Sequence, residues 1–213
     1  HIDRAQTASR ADVLAALQAA QPAEREFAAL ISPAATELLE PMARRAQALT
    51  RGHFGKTVSL YAPLYLSNYC SGGCSYCGFA SDRKQPRHKL TLADLKRETE
   101  ALKEKGIEDV LLLTGERCPQ ADFEYLLGCV AETAQHFHRV SVEAFAMTQE
   151  EYAQLEAVGC TGITLYQETY DPELYDQLHR WGEKRDYTYR LEAPGRALAA
   201  GIRPVGIGAL FGL

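Results

Sequence analysis

What this chain of 213 residues lacks sets the first limits. No apolar run approaches the roughly 20 residues needed to span a bilayer, so no transmembrane helix is expected. There is no excess of positive charge. Lys and Arg number 23 against 28 Asp and Glu, a formal net charge of −5 at pH 7. No basic field is therefore available to hold nucleic acid or an anionic membrane surface. The N-terminal stretch His1 to Arg10 is polar and has no apolar core of a secretory signal, so the cytoplasm is the expected compartment. The six histidines show no paired spacing of a metal site. The first residue is His and not Met, which hints at a sequence shorter than its gene product. With 46% hydrophobic and 24% charged residues, the remainder has the makeup of a globular domain.

What is present reads as a helical segment followed by a parallel α/β domain. Residues 11–52 are rich in Ala, Leu, Glu, Gln and Arg, all good helix formers. Ser32 before Pro33 has the form of an N-cap with proline at the first helical position. Leu38, Leu39, Met42, Ala46 and Leu49 then recur at helical spacing, with Pro41 expected to kink the helix. Residues 1–56 are thus expected to form a helical extension.

From residue 57 the pattern changes. Residues 57–66, rich in β-branched and aromatic side chains, predict a strand. Thr91 with Asp94 is a capping box that opens a helix ending at Gly106, and Thr148 with Glu151 opens another that stops near Gly159. The near-continuous apolar run 109–114 predicts a strand covered on both faces. Further strands are predicted over 140–145, 162–166 and 205–209. Helices are predicted over 121–136, after Asp171-Pro172, and over 189–200. Strand and helix alternate without hairpin signals, which predicts right-handed βαβ units and a parallel sheet. The expected fold class is α/β, a parallel (β/α) barrel of TIM-like type over 57–213 that stops after its fifth strand.

Six cysteines might be taken for disulfides, but three crowd into eight positions, Cys70-Ser-Gly-Gly-Cys74-Ser-Tyr-Cys77. In a reducing compartment that crowding points to metal. The segment follows the first predicted strand, where a parallel α/β domain places its chemistry. Thiolates are soft ligands suited to iron–sulfur clusters or zinc. Structural zinc wants a fourth ligand at close spacing, and none is evident. A Cys74–Cys77 redox pair leaves Cys70 without a role. A 4Fe-4S cluster held by three cysteines keeps one iron open for another ligand. Cys118, Cys129 and Cys160 lack ligand spacing and are expected to be small buried residues. Tyr152 and Tyr175 are expected to pack from helices.

The CxxxCxxC loop, with Tyr76 directly before its last cysteine, resembles the signature of the radical S-adenosylmethionine superfamily. That resemblance implies a radical SAM barrel, a 4Fe-4S cluster on Cys70, Cys74 and Cys77, and S-adenosylmethionine on the open iron. It places Tyr76 near the adenine. Thr114-Gly115-Glu116 stands where the family commonly has Gly-Gly-Glu against the methionyl ammonium, with Thr as a departure. Glu168 matches the ribose-binding place and is favoured over Glu143, which ends the preceding strand. Arg185 is the candidate for the methionyl carboxylate, and Gly206-Ile207-Gly208 for the strand packed on adenine.

Five ordered strings narrow the resemblance: Leu64 to Cys70, Cys77-Gly-Phe79, Leu113 to Glu116, Tyr166 to Tyr170, and Gly206 to Leu213. Together they resemble the tyrosine lyases of bacterial thiazole biosynthesis, the 2-iminoacetate synthases. The implied reaction cleaves the Cα–Cβ bond of L-tyrosine to 2-iminoacetate and p-cresol for thiamine. The implied partners are L-tyrosine, thiazole synthase and a reducing donor such as flavodoxin or ferredoxin. The tyrosine lyase of FeFe-hydrogenase maturation is the nearest alternative. A tryptophan lyase is more distant, and a non-catalytic iron–sulfur or zinc-binding module is the alternative from another class. No residue of the chain is singled out as directly catalytic.

Overall fold

The structure, a computed structural model, describes residues 2–213. They divide into two units, with the boundary between Val58 and Ser59. The first holds α1 (Ile2–Thr7), α2 (Arg10–Gln18), α3 (Glu24–Leu30), a 3₁₀ turn (Pro33–Leu38) and α4 (Leu39–Phe54). A small core of Val13, Ala16, Ala29, Ala35 and Leu38 joins α2, α3 and the 3₁₀ turn, with Met42 of α4 packed against it. Ser32 does precede the turn, but its hydroxyl donates back to the Ala29 carbonyl at 2.7 Å and caps nothing. Pro41 falls in the first turn of α4. Its missing N–H would have had no intrahelical acceptor there, so the proline interrupts no hydrogen bond of the helix.

The second unit runs β1 (Tyr61–Tyr65), α5 (Leu92–Glu104), β2 (Asp109–Leu113), α6 (Phe123–Thr133) and β3 (Arg139–Glu143). It continues with α7 (Gln149–Ala157), β4 (Gly162–Glu168), α8 (Pro172–Leu178), α9 (Tyr187–Ala199) and β5 (Val205–Ala209). The capping boxes at Thr91 and Thr148 are formed, each hydroxyl accepting from the backbone N–H three residues on. β1 is shorter than expected because its partner β2 begins at Asp109, opposite Tyr61, and residues 57–60 have no strand to pair with.

All five strands are parallel, in the order β1-β2-β3-β4-β5. Doubly wound sheets reverse their order at a switch point, whereas barrels wind in one direction. This winding is that of a (β/α) barrel. Val110, Leu112, Val140, Val142, Ile163 and Leu165 point from the strands into the layer beneath the helices, fully or nearly fully buried. Burying each such side chain stabilises the unit by roughly 1.5–3 kcal/mol. The alternate residues of the same strands line the other face. There Leu111, Ser141, Glu143, Thr164 and Tyr166 border a cavity of about 330 Å³. No helix among the described residues is long and apolar enough to cross a membrane.

Candidate functional site

The cysteine loop leaves β1 at Leu66 and is held from three sides. Arg87 gathers one side, its guanidinium donating to the carbonyls of Asn68, Phe79 and Ala80. The end of β2 supplies the second. A Cβ on Gly115 would lie 2.4 Å from the Tyr69 carbonyl oxygen and 2.7 Å from Cys70 Cβ. Only glycine lets the strand end approach so closely. The approach brings the Glu116 N–H to 3.3 Å from Cys70 Sγ, which also accepts from the Gly72 N–H at 3.3 Å. Cys77 Sγ accepts from the Phe79 N–H at 3.3 Å. On the third side lies the segment after α8. A Cβ on Gly73 would fall 2.3 Å from the Trp181 ring, so the indole lies flat on that glycine.

Two buried ion pairs stand beside the loop. Glu116 Oε1 meets Arg190 Nη1 at 2.8 Å, with both side chains nearly fully buried. Burial opposes the charge on Arg190, but the Glu116 carboxylate overrides it and leaves the guanidinium above its ordinary value. Arg190 Nε also donates to the Tyr166 carbonyl at 2.9 Å. Lys184 Nζ meets Glu168 Oε1 at 2.8 Å, again buried. Glu168 has φ +69° at an irregularity of the β4–β5 register. Such a conformation costs a non-glycine residue of order 1–3 kcal/mol and often marks functional positions. The carboxyl of Glu143 is pushed up by burial and by the neighbouring Glu168. The Thr114 hydroxyl donates to the Gly115 carbonyl at 2.7 Å.

The structure brings Cys70, Cys74, Cys77, Tyr76, Gly115, Glu116 and Glu168 to one end of the sheet. It does not bring Arg185, whose guanidinium is half-exposed and bonded to Asp176 at 2.8 Å. Arg185 is the third residue of a one-turn 3₁₀ helix, Glu183–Arg185, that turns its neighbour Lys184 inward instead. Gly206 and Gly208 lie opposite Thr164 and Tyr166 in the register, and a Cβ on Gly208 would meet the Tyr166 ring at 2.6 Å. Ile207 alternates to the other face and is 65% exposed, so only its backbone borders the concave side. Cys118, Cys129 and Cys160 are buried, as are Tyr152 and Tyr175.

Sequence reasoning missed Arg190, Lys184 and His179. One signal existed for Arg190: it precedes Ala193 and Ala197 at intervals of three and seven, on the buried face of α9. A charge on an apolar helix face calls for a buried partner.

Three soft donors from one loop, with backbone N–H groups aimed at two of their sulfurs, fit an iron–sulfur cluster. Gly72 lies close to two of them: a Cβ there would sit 3.5 Å from Cys70 Sγ and 3.8 Å from Cys74 Sγ, in ordinary contact with both sulfurs. Among the described residues, no three His, Cys, Asp or Glu side chains converge as they would on a single ion. A cluster presents its irons at separate corners and spreads its ligands wider. Burial, helped by the neighbouring Glu116 and Cys77, pushes the thiols of Cys70 and Cys74 up. Bound iron would reverse that and hold thiolates.

A model of the Radical SAM superfamily matches residues 64–213, most of the chain. The chain belongs to that superfamily. Its cofactors are a 4Fe-4S cluster and S-adenosylmethionine, as the cysteine loop led us to expect. The 2-iminoacetate synthase of Salmonella typhimurium is 44% identical over 203 residues, covering 95% of this chain and 54% of that protein. The same-named enzyme of Escherichia coli is 43% identical, with the same coverage. Among solved structures, HydG, a maturase of the [FeFe]-hydrogenase, superposes with a TM-score of 0.90 at 33% identity, over 99% of this chain and 49% of that one. The chain spans about half the length of the curated relatives it matches.

Proposed function

We propose that this chain belongs to a radical S-adenosylmethionine tyrosine lyase that cleaves the Cα–Cβ bond of L-tyrosine to 2-iminoacetate and p-cresol, for the thiazole of thiamine. The observation that carries this reading is the 44% identity to a 2-iminoacetate synthase along 95% of the chain, cysteine loop included. Cys70, Cys74 and Cys77 would hold the cluster, whose reduction supplies the electron for cleaving the sulfonium. Glu116 would accept from the methionyl ammonium and Glu168 from the ribose hydroxyls, both as charged acceptors. Arg190 and Lys184 pair with these carboxylates and hold them in place, and they are the buried cations available to the methionyl carboxylate. Tyr76 would border the adenine. Thiazole synthase would take the 2-iminoacetate, and a flavodoxin or ferredoxin would supply the electron.

The superposition on HydG supports a second reading, maturation of FeFe-hydrogenase. One experiment separates the two. The full-length protein, reconstituted anaerobically, reduced and given S-adenosylmethionine and tyrosine, is expected to yield p-cresol and glyoxylate, the hydrolysis product of 2-iminoacetate. Phenylalanine should be inert, since a site built to bond a hydroxyl rejects the analogue lacking it by as much as about 10⁴–10⁵. Carbon monoxide and cyanide beside p-cresol would move the assignment to the maturase, and tryptophan cleavage with tyrosine untouched would remove tyrosine lyase altogether. Loss of S-adenosylmethionine cleavage from a fully loaded protein would leave a binding module.

A further inference from the structure

Residues 178–182 lie across the cysteine loop as a strap. The Gly73 N–H donates to the Trp181 carbonyl at 3.0 Å, and the Ser75 N–H to the Leu178 carbonyl at 2.9 Å. The indole Nε1 donates to Ser81 Oγ at 2.9 Å. The Arg180 guanidinium donates to the Gly73 carbonyl at 2.9 Å and to Asp82 Oδ2 at 2.8 Å. These contacts fasten the strap along the outside of the loop. One strap residue turns inward.

His179 is wholly buried. Its Nδ1 lies 2.8 Å from the Tyr175 carbonyl oxygen, which can only accept. Nδ1 therefore carries the hydrogen, and Nε2 presents a lone pair. The Tyr76 hydroxyl stands 2.7 Å from Nε2 and donates to it. The Tyr175 ring lies 3.9 Å from the imidazole, centroid to centroid, and its own hydroxyl donates to the Lys184 carbonyl. The imidazole is thus fixed by a bond at one end and a ring along its side before it receives Tyr76.

We propose that His179 is a positioning residue, whose Nε2 fixes the side chain of Tyr76 and with it the surface that meets S-adenosylmethionine. The assignment rests on the cofactor reading above. Tyr76 sits between two cluster ligands and has one polar atom. Without Nε2, that part-buried hydroxyl keeps only the Cys74 thiol, a weak hydrogen-bond partner, and the side chain gains by swinging toward water. Lys184 Nζ lies 5.8 Å from the centre of the Tyr76 ring while it bonds Glu168. A displaced ring therefore disturbs the lysine that orients the carboxylate assigned to ribose. His179 acts on cofactor binding through Tyr76, without touching the cofactor itself.

The test uses the full-length protein, anaerobically reconstituted, in wild-type form and as His179→Phe, Tyr76→Phe and the double variant. Iron and sulfide content, S-adenosylmethionine affinity, and the paramagnetic resonance spectrum of the reduced cluster with and without S-adenosylmethionine are measured. Cluster content and the spectrum without S-adenosylmethionine should stay as in wild type. Each single variant should lose about tenfold in affinity and show a weakened spectral response to S-adenosylmethionine. The double variant should lose no more, because both changes remove the same hydrogen bond. Wild-type affinity and spectral response in His179→Phe, or additive losses in the double variant, would overturn the proposal. If His179→Phe does not fold, Tyr76→Phe decides alone, since it deletes one oxygen, and unchanged affinity there is equally fatal. Absence of a cluster from the wild-type protein would instead defeat the cofactor reading.

Discussion

Glu116 and Arg190 stand 74 positions apart in the chain and 2.8 Å apart in space, joining the end of β2 to the first turn of α9 across the sheet. Both are almost wholly buried, so neither charge can be left alone. Arg190→Ala is expected to cost about 3–5 kcal/mol, the usual penalty for stranding one member of a buried pair. Thermal denaturation of the purified protein should show a fall of roughly 10 °C. The double change Glu116→Leu with Arg190→Met should recover much of that loss while abolishing S-adenosylmethionine binding. An unshifted transition in Arg190→Ala would show that the pair does not hold α9 to the sheet.

Replacement of Cys70, Cys74 or Cys77 by Ala should prevent assembly of the 4Fe-4S cluster, because each supplies a ligand that no other residue on the loop can replace. Iron and acid-labile sulfide analysis after reconstitution reads this directly. Replacement of Cys118, buried but away from the loop spacing, should leave cluster content intact. A normal cluster in any of the three loop variants would remove that cysteine from the ligand set.

Glu168→Gln should keep the cluster but weaken S-adenosylmethionine binding on the order of tenfold or more, the loss of one charge-assisted hydrogen bond worth roughly 1.5–3 kcal/mol. Glu116→Gln should do the same. Equilibrium binding to the reconstituted protein checks both. Unchanged affinity in the pair would place the cofactor away from these strand ends.

Burial pushes the thiols of Cys129 and Cys160 up to about 11. At pH 8 only roughly one molecule in a thousand would carry either as the reactive thiolate. The partly exposed Cys77 should therefore react first when the cluster-free folded protein meets iodoacetamide. Raising the pH from 8 toward 11 should speed labelling of Cys129 and Cys160, and unfolding in urea should equalise all three. Mass spectrometry of time points reads the order. Equal rates at Cys160 and Cys77 in the folded protein would contradict the burial seen here.

The barrel winding was legible in part. β5 has the bounds predicted for it, 205–209, and the helices opened by Thr91 and Thr148 begin where their capping boxes place them. These signals are local: a cap, a turn and a periodicity are each written within a few residues. The start of β1 was not legible, because residues 57–60 have strand composition but no neighbouring strand to pair with. The place of Pro41 in the first turn of α4 was not legible either, because the boundary between the 3₁₀ turn and α4 is set by packing.

By itself, the sequence determined the cysteine loop, since three thiols within eight positions must fall on one side of one turn. It also determined the order of strand ends that gather around that loop. Tertiary structure alone decided which charges complete the site. Arg185 and Lys184 are adjacent in the chain, and a single 3₁₀ turn sends the first outward to Asp176 and the second inward to Glu168. His179 reaches Tyr76 across 103 positions because α8 ends where the strap crosses the loop. Spacing along a chain fixes only near neighbours. The partner of a buried charge or hydroxyl is fixed by which segment the sheet and helices bring within about 3 Å of it.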